Sequence, residues 1–346
     1  REVQRRPGEV PRAARAGATV ARCATRSDLA QHLERELRPR DVVLFKGPRA
    51  MEIDRAASGV LAAISPNRLL VDLAAIGGIA TKAVSVAPRH GAPPLRVSEF
   101  AGGMINAIGL ANPGLDAVRA EYLPWLRRAY PDTRVIVNVV GNSVEDFEIV
   151  VGGLDNVPGV DAFELNVSCP NVKAGGMEFG ADPVALAALV RASRAQTARP
   201  IFVKLSPTLG AGVVDAARVA VEHGATGLTL VNTMPGLVID ASRRTPKIGF
   251  GTGGISGPAL LPLGLLATWR VRQALPGVPV IGLGGISTGN DAAQYLLAGA
   301  SLVGVGTAAL RDPRAPERIA RELSAWADRE GVRDLRSIIG TLEWPS

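Results

Sequence analysis

Short β-branched and apolar runs alternate with amphipathic segments along most of this chain, and that alternation constrains the fold more than any other feature. The strand-like runs are Gly78–Val84, Arg134–Val140, Ala162–Ser168, Pro200–Leu205, Gly227–Val231, Val278–Leu283 and Leu302–Val305. Between several of them lie helical segments: Pro183–Gln196, Gly212–His223, Leu260–Gln273 and Asn290–Ala298. Such repetition builds parallel βαβ units, because parallel neighbours need a long crossover. Runs that stay apolar throughout suit strands covered by helices on the outer face. An eighth strand is expected just before Ala57-Ser58-Gly59, and eight units close as a (β/α)8 TIM barrel. The alternative is an open doubly wound sheet, but no G-x-G-x-x-G opens a helix after the first strand.

The barrel is expected to occupy residues 41–346, preceded by an Arg-rich N-terminal extension over residues 1–40, disordered or partly helical. Ser27 is placed to cap a short helix through Leu37. The segment suits a targeting or membrane-surface role, an interaction arm, or simply an over-extended start. It also holds most of the net charge: ten Arg and five acids here supply +5 of the chain's +7. The body is therefore an ordinary solvated mixture, and no nucleic-acid partner is expected. No apolar run is long enough for an integral membrane segment, so a cytoplasmic protein is expected.

Two cysteines, Cys23 and Cys169, are too few for a disulfide scaffold or for the ligands of an iron–sulfur cluster. The three histidines, His32, His90 and His223, fall in no metal-ligand spacing, so no metal site is expected. Acid–base chemistry must then come from other side chains.

Polar residues close many of the strands: Lys82, Asn138, Asn166 with Cys169, Lys204, and Asn232-Thr233. Any one of them could simply stop a strand. Together they would crowd the C-terminal rim, where barrel enzymes place their chemistry. Three glycine-rich turns come late: Gly251–Gly257, Gly282–Ile286 and Gly304–Thr307. The last two follow the seventh and eighth expected strands, the usual phosphate position in a barrel. Glycine admits close approach of backbone N–H groups to an anion.

The run Asn166-Val-Ser-Cys-Pro-Asn171 resembles the catalytic signature of dihydroorotate dehydrogenases, and Lys173–Gly180 resembles the class 1B branch of that family. Asn106-Ala-Ile-Gly-Leu110, Val203-Lys-Leu-Ser-Pro207, Asn232-Thr233 and the late glycine turns follow in family order between about residues 57 and 310. The likeness is weakest early, where only Ala57-Ser58-Gly59 of the family's first-strand pattern is present. Thr208 and Leu261 also depart from the usual residues.

The resemblance implies an FMN-dependent oxidation of dihydroorotate to orotate in pyrimidine biosynthesis, with Cys169 as the base for the C5 proton. Cys169 alone would more often be a buried structural thiol; its neighbours Asn166, Ser168 and Asn171 favour the base. Gly175-Gly176 could hinge a lid over it. By the same resemblance Lys82, Asn106, Asn166, Asn171, Asn232 and Thr233, with Ala107, Ile108, Gly109 and Leu110, hold the substrate. Ser58, Lys82, Asn138, Asn166, Lys204 and Val231 contact the flavin, and Gly257, Gly284, Gly285, Gly306 and Thr307 cradle its phosphate. Lys204 would stabilise negative charge on the reduced flavin, unless it serves a structural ion pair. A homodimer is expected, or a heterotetramer with an FAD/iron–sulfur subunit that uses NAD. A related FMN-dependent dihydropyrimidine dehydrogenase, a homologue acting in a specialised pathway, and a non-catalytic FMN-binding barrel remain as alternatives.

Overall fold

The computed structural model describes residues 76–168, 170–171 and 177–345. The expected extension, the eighth strand, Ser58, Cys169 and the Gly175-Gly176 hinge lie outside these residues. The described strands of the main sheet are β1 (Gly78–Ala80), β2 (Arg134–Val139), β3 (Ala162–Asn166), β4 (Ile201–Leu205), β5 (Gly227–Leu230), β6 (Val280–Leu283) and β7 (Leu302–Gly304). Each pairs in parallel with the next, so spatial order equals chain order. A doubly wound sheet reverses its strand order at a switch point, and this one does not. The fold is a (β/α)8 barrel, with seven of its strands among the described residues.

The helices on the outer face are α1 (Leu123–Ala129), α2 (Val144–Asp155), α3 (Pro183–Ala195), α4 (Val213–Glu222), α5 (Leu261–Ala274), α6 (Gly289–Ala298), α7 (Thr307–Arg311) and α8 (Ala315–Arg329). Several begin where the sequence supplies a cap. The Ser143 Oγ accepts from the Asp146 N–H, and the Asp182 carboxylate accepts from Val184 and Ala185. Strand residues of one parity, including Val137, Val139, Phe163, Leu165, Val203, Leu205, Leu228 and Leu230, are buried in one continuous apolar core with the helices. The other parity carries Asn138, Glu164, Lys204 and Thr229 on the barrel's inner side. A strand's two faces thus separate packing from chemistry.

One feature departs from the sequence reading. Gly251–Gly257 is more than a turn, because Gly253–Ser256 is a strand. It lies in a four-stranded antiparallel sheet whose order is Met234–Gly236, Gly253–Ser256, Gly103–Asn106 and Val97–Phe100. This sheet comes from the excursions after β1 and β5. Its central pairing, Gly253–Ser256 with Gly103–Asn106, joins segments 148 residues apart, so local patterning carries no trace of it. Glycine is needed for the close approach: a Cβ on Gly254 would lie 2.2 Å from the Thr233 Oγ1.

Candidate active site

A cleft of about 590 Å³ opens where the C-terminal strand ends meet this antiparallel sheet, and its volume is that of a typical cofactor or ligand site. On its wall lie Lys82, Asn106, Ile108, Lys204, Val231, Asn232, Thr233, Gly257, Gly284, Gly285, Gly306 and Thr307. These residues come from seven separate stretches of chain, and the sequence reading had singled out each of them.

Their side chains are fixed by specific partners. The Asn106 Nδ2 donates to the Gly254 carbonyl at 3.2 Å, which ties it to the neighbouring antiparallel strand. Asn232 is held on both sides: its Nδ2 donates to the Asn166 Oδ1 at 3.0 Å and its Oδ1 accepts from the Thr233 N–H at 2.8 Å. Asn166 is therefore linked to the cleft through Asn232 rather than placed on its wall. One layer deeper, the Asn138 Nδ2 donates to the Glu164 Oε1 at 2.6 Å, and the Lys204 Nζ stands 3.6 Å from the same oxygen. Lys204 thus combines the two roles open to it, an ion pair below and a charge on the cleft wall. Glu164 is buried among apolar strand residues and balances that charge. Sequence reasoning passed over Glu164, although an acid inside Phe163-Glu164-Leu165 was the available signal.

Lys82 faces two further cations. Burial lowers the pKa of its ammonium from the ordinary 10.5, and the charges of Arg96 and Lys204 lower it further. Three cations crowd this end, so an anionic ligand would relieve their mutual repulsion.

The opposite end is built from backbone. Among the described residues, the N–H groups of Gly285, Ile286, Thr307 and Ala308 have no backbone partner. The Tyr295 hydroxyl donates to the Gly284 carbonyl at 2.8 Å and holds the loop from below. Burial raises the Tyr295 pKa, so it stays a donor. The Thr307 Oγ1 donates to the Ser256 Oγ at 2.8 Å across the wall. These open donors and hydroxyls fit the oxygens of a phosphate group. Ser256, Ser287, Arg311, Asp312 and Arg318 also line this end, and sequence reasoning had not named them.

Residues 53–326 match the dihydroorotate dehydrogenase family. The chain belongs to that family. A Solibacter usitatus (strain Ellin6076) protein, provisionally named dihydroorotate dehydrogenase A (fumarate), is 50% identical over 289 residues, covering 84% of this chain and 94% of its own. Catalytic subunits named dihydroorotate dehydrogenase B (NAD(+)) from Geotalea uraniireducens (strain Rf4) and Desulforudis audaxviator (strain MP104C) are 46% and 44% identical. They align over 272 and 270 residues, which is 79% and 78% of this chain and 88% and 87% of theirs. The early resemblance to class 1B catalytic subunits is borne out, and membership makes the chain an oxidoreductase.

Not every residue picked out beforehand reaches the wall of this dehydrogenase's cleft. Ala107, Gly109 and Leu110 lie beside it: the Ala107 N–H is spent on the Arg96 carbonyl, and Leu110 packs against Ala83 and Val140. Asn138 points to Glu164. Pro170–Asn171, the end of the signature run, pairs antiparallel with Met177–Glu178. Glu178 in that pair has its carboxyl pKa pushed up by burial, against opposing hydrogen bonds from Ser206 and Thr208. No helix among the described residues is long and apolar enough to cross a membrane, and no group of three metal-ligating side chains occurs among them.

Proposed function

We propose that this chain oxidises dihydroorotate to orotate with FMN held in the cleft. The observation that carries the reading is the division of one cleft into a polar, cationic end (Lys82, Lys204, Asn106, Asn232, Thr233) and an end of open backbone donors (Gly285, Ile286, Thr307, Ala308). Such a cleft suits two ligands at once: a planar anion rich in N–H and C=O groups, and a phosphorylated cofactor. When bound, FMN supplies the acceptor for the hydride leaving C6 of the substrate.

The rest is done by the chain. Cys169 takes the C5 proton as a thiolate, and Asn166 and Asn171 flank it in sequence. Asn106, Asn232 and Thr233 orient the pyrimidine; each amide offers both a donor and an acceptor to its edge. Ile108 closes the apolar side. Asn166 acts by holding Asn232. Lys82, on the cleft wall, would attract the carboxylate of the substrate. Lys204, with Glu164 behind it, keeps a fixed charge where negative charge accumulates. Asn138 supports Glu164, and Val231 lies against the flavin. Gly257, Gly284, Gly285, Gly306 and Thr307 hold the phosphate. By the family resemblance, Ser58 would add a further flavin contact.

The finer reading concerns the acceptor. Lys173–Gly180 favours the class 1B arrangement, in which electrons pass to NAD through a partner subunit with FAD and an iron–sulfur cluster. Two cysteines cannot supply that cluster within this chain.

Purification and steady-state kinetics test the reading. A yellow protein that turns over dihydroorotate supports it. A colourless protein that FMN does not reconstitute, or turnover of dihydrouracil alone, overturns it. Co-purification with an iron–sulfur flavoprotein and NAD reduction would establish the acceptor; fumarate reduction by the isolated chain would overturn that part alone.

A further inference from the structure

The loop after β6 looks at first like a phosphate site built on the N-terminus of α6. Its bonding says otherwise. The Asp291 Oδ2 accepts from the Ser287 N–H at 2.9 Å, the Ser287 Oγ at 3.0 Å and the Thr288 N–H at 2.9 Å. The Thr288 Oγ1 accepts from the Asp291 N–H, and the Glu322 Oε2 accepts from the Gly289 N–H at 2.8 Å. Two carboxylates therefore occupy the start of α6 and answer its positive end. What remains for an anion is the neutral backbone of Gly284–Ile286 and Gly306–Thr307, with two acids close behind. A dianionic phosphate here needs a countercharge.

Arg318 on α8 is the side chain placed to give one. It lies on the cleft wall with Ser287, Gly306 and Thr307. Its Nη1 meets the Glu322 Oε1 at 2.6 Å, and its Nη2 donates to the Ser287 carbonyl at 3.2 Å. The Arg318 hydrogen bond holds the Glu322 carboxyl below its ordinary pKa, so the anchor stays ionised at neutral pH. A guanidinium has five N–H donors, so these contacts leave three to offer. Among the cations on the wall, Arg318 is the one bonded to the loop after β6, through the Ser287 carbonyl. Lys204 pairs with Glu164, Lys82 sits beside Lys204, and the Arg311 Nε is 2.7 Å from the Glu99 carboxylate. The small core of Ile286, Tyr295, Ala315 and Ile319 fixes α8 against the loop that Arg318 touches.

We propose that Arg318 reads the cofactor's phosphate and makes the cleft select a phosphorylated flavin over the unphosphorylated one. This rests on the FMN reading above and goes beyond it by assigning the selectivity to one side chain and its Glu322 anchor.

The test compares two ligands on the same full-length apoprotein, FMN and riboflavin, followed by quenching of flavin fluorescence. Wild type should bind FMN more tightly. Arg318→Gln should weaken FMN about 10-fold and leave riboflavin within about twofold, as expected for loss of one charged hydrogen-bonding partner that is partly exposed. Arg318→Lys should recover part of the loss, because the charge returns without the fork. Glu322→Gln should weaken FMN by less than Arg318→Gln does, since the Gly289 acceptor survives while the ionic anchor goes. Added salt should shrink the difference between wild type and Arg318→Gln. Equal weakening of both ligands would show a merely structural arginine and overturn the proposal, as would an unchanged FMN affinity. A wild-type chain that binds riboflavin as tightly as FMN would overturn this inference alone, and one that binds neither would overturn the FMN reading with it.

Discussion

The two ends of the cleft are built by opposite strategies. At the end proposed to hold the phosphate, short glycine loops after β6 and β7 present backbone, and a small core around Tyr295 and Ile319 holds them in place. At the end proposed for the substrate, side chains from β3, β4, the turn after β5 and the antiparallel sheet hold one another: Asn106 to Gly254, Asn232 to Asn166, Lys204 to Glu164. Backbone recognition suits a phosphate, whose oxygens accept from any N–H. Reading a pyrimidine edge needs amides at fixed angles, and those need partners. The comparison teaches that cofactor and substrate binding should be separable by mutation, although they share one cleft.

The largest break should come at the substrate end. Cys169→Ala should keep bound FMN, seen in the visible spectrum, and lower dihydroorotate oxidation at neutral pH by about 10²–10⁴-fold, the usual worth of a positioned base. Cys169→Ser should be slow and recover as pH rises, because a hydroxyl ionises far less readily. Unimpaired turnover in the alanine variant would remove the base assignment. At the other end, Gly285→Ala should release FMN. Gly285 has φ +78°, and an added Cβ would lie 2.6 Å from the Leu261 backbone nitrogen. Left-handed strain alone costs about 1–2 kcal/mol, so FMN affinity should fall about 10-fold or more. Equilibrium dialysis would measure it, and an unchanged affinity would mean that the loop does not touch the phosphate.

Asn106→Ala sharpens the separation. It should raise the KM for dihydroorotate by about 10-fold, the worth of one lost hydrogen bond, with FMN retained. A loss of FMN instead would place Asn106 at the wrong ligand. The smallest effect concerns pH. Lys82 loses its proton below the ordinary 10.5, and a bound anion favours the protonated form. Orotate affinity should therefore be full below the lowered Lys82 pKa and decline as pH rises through it, earlier than for an ordinary lysine. Titrations of orotate across alkaline pH would show that decline, and it should be absent in Lys82→Met.

Legibility in the sequence followed the range of the interactions. Strand ranges, helices and the glycine turns at 284–285 and 306 were readable, since each is set by local periodicity or by what one residue type permits. The polar rim was readable as a crowd of candidates, because polar residues interrupt apolar strands. Glu164 was not, for its meaning lies in Lys204, which sits on another strand. The antiparallel sheet was hidden for the same reason, and with it the role of Gly251–Gly257. Arg318 lay beyond any motif, on a helix whose pattern explains only its packing face.

By itself, then, the sequence determined a parallel barrel, a glycine-rich end late in the chain and a family signature around Asn166. Those follow from side-chain periodicity and from backbone freedom at glycine. Tertiary structure alone decided which polar side chains share a hydrogen bond, which carboxylates cap α6, and which charge is left to face the cleft. Partners 66 to 148 residues apart, such as Asn232 with Asn166 and Asn106 with Gly254, become neighbours only when the strands close side by side.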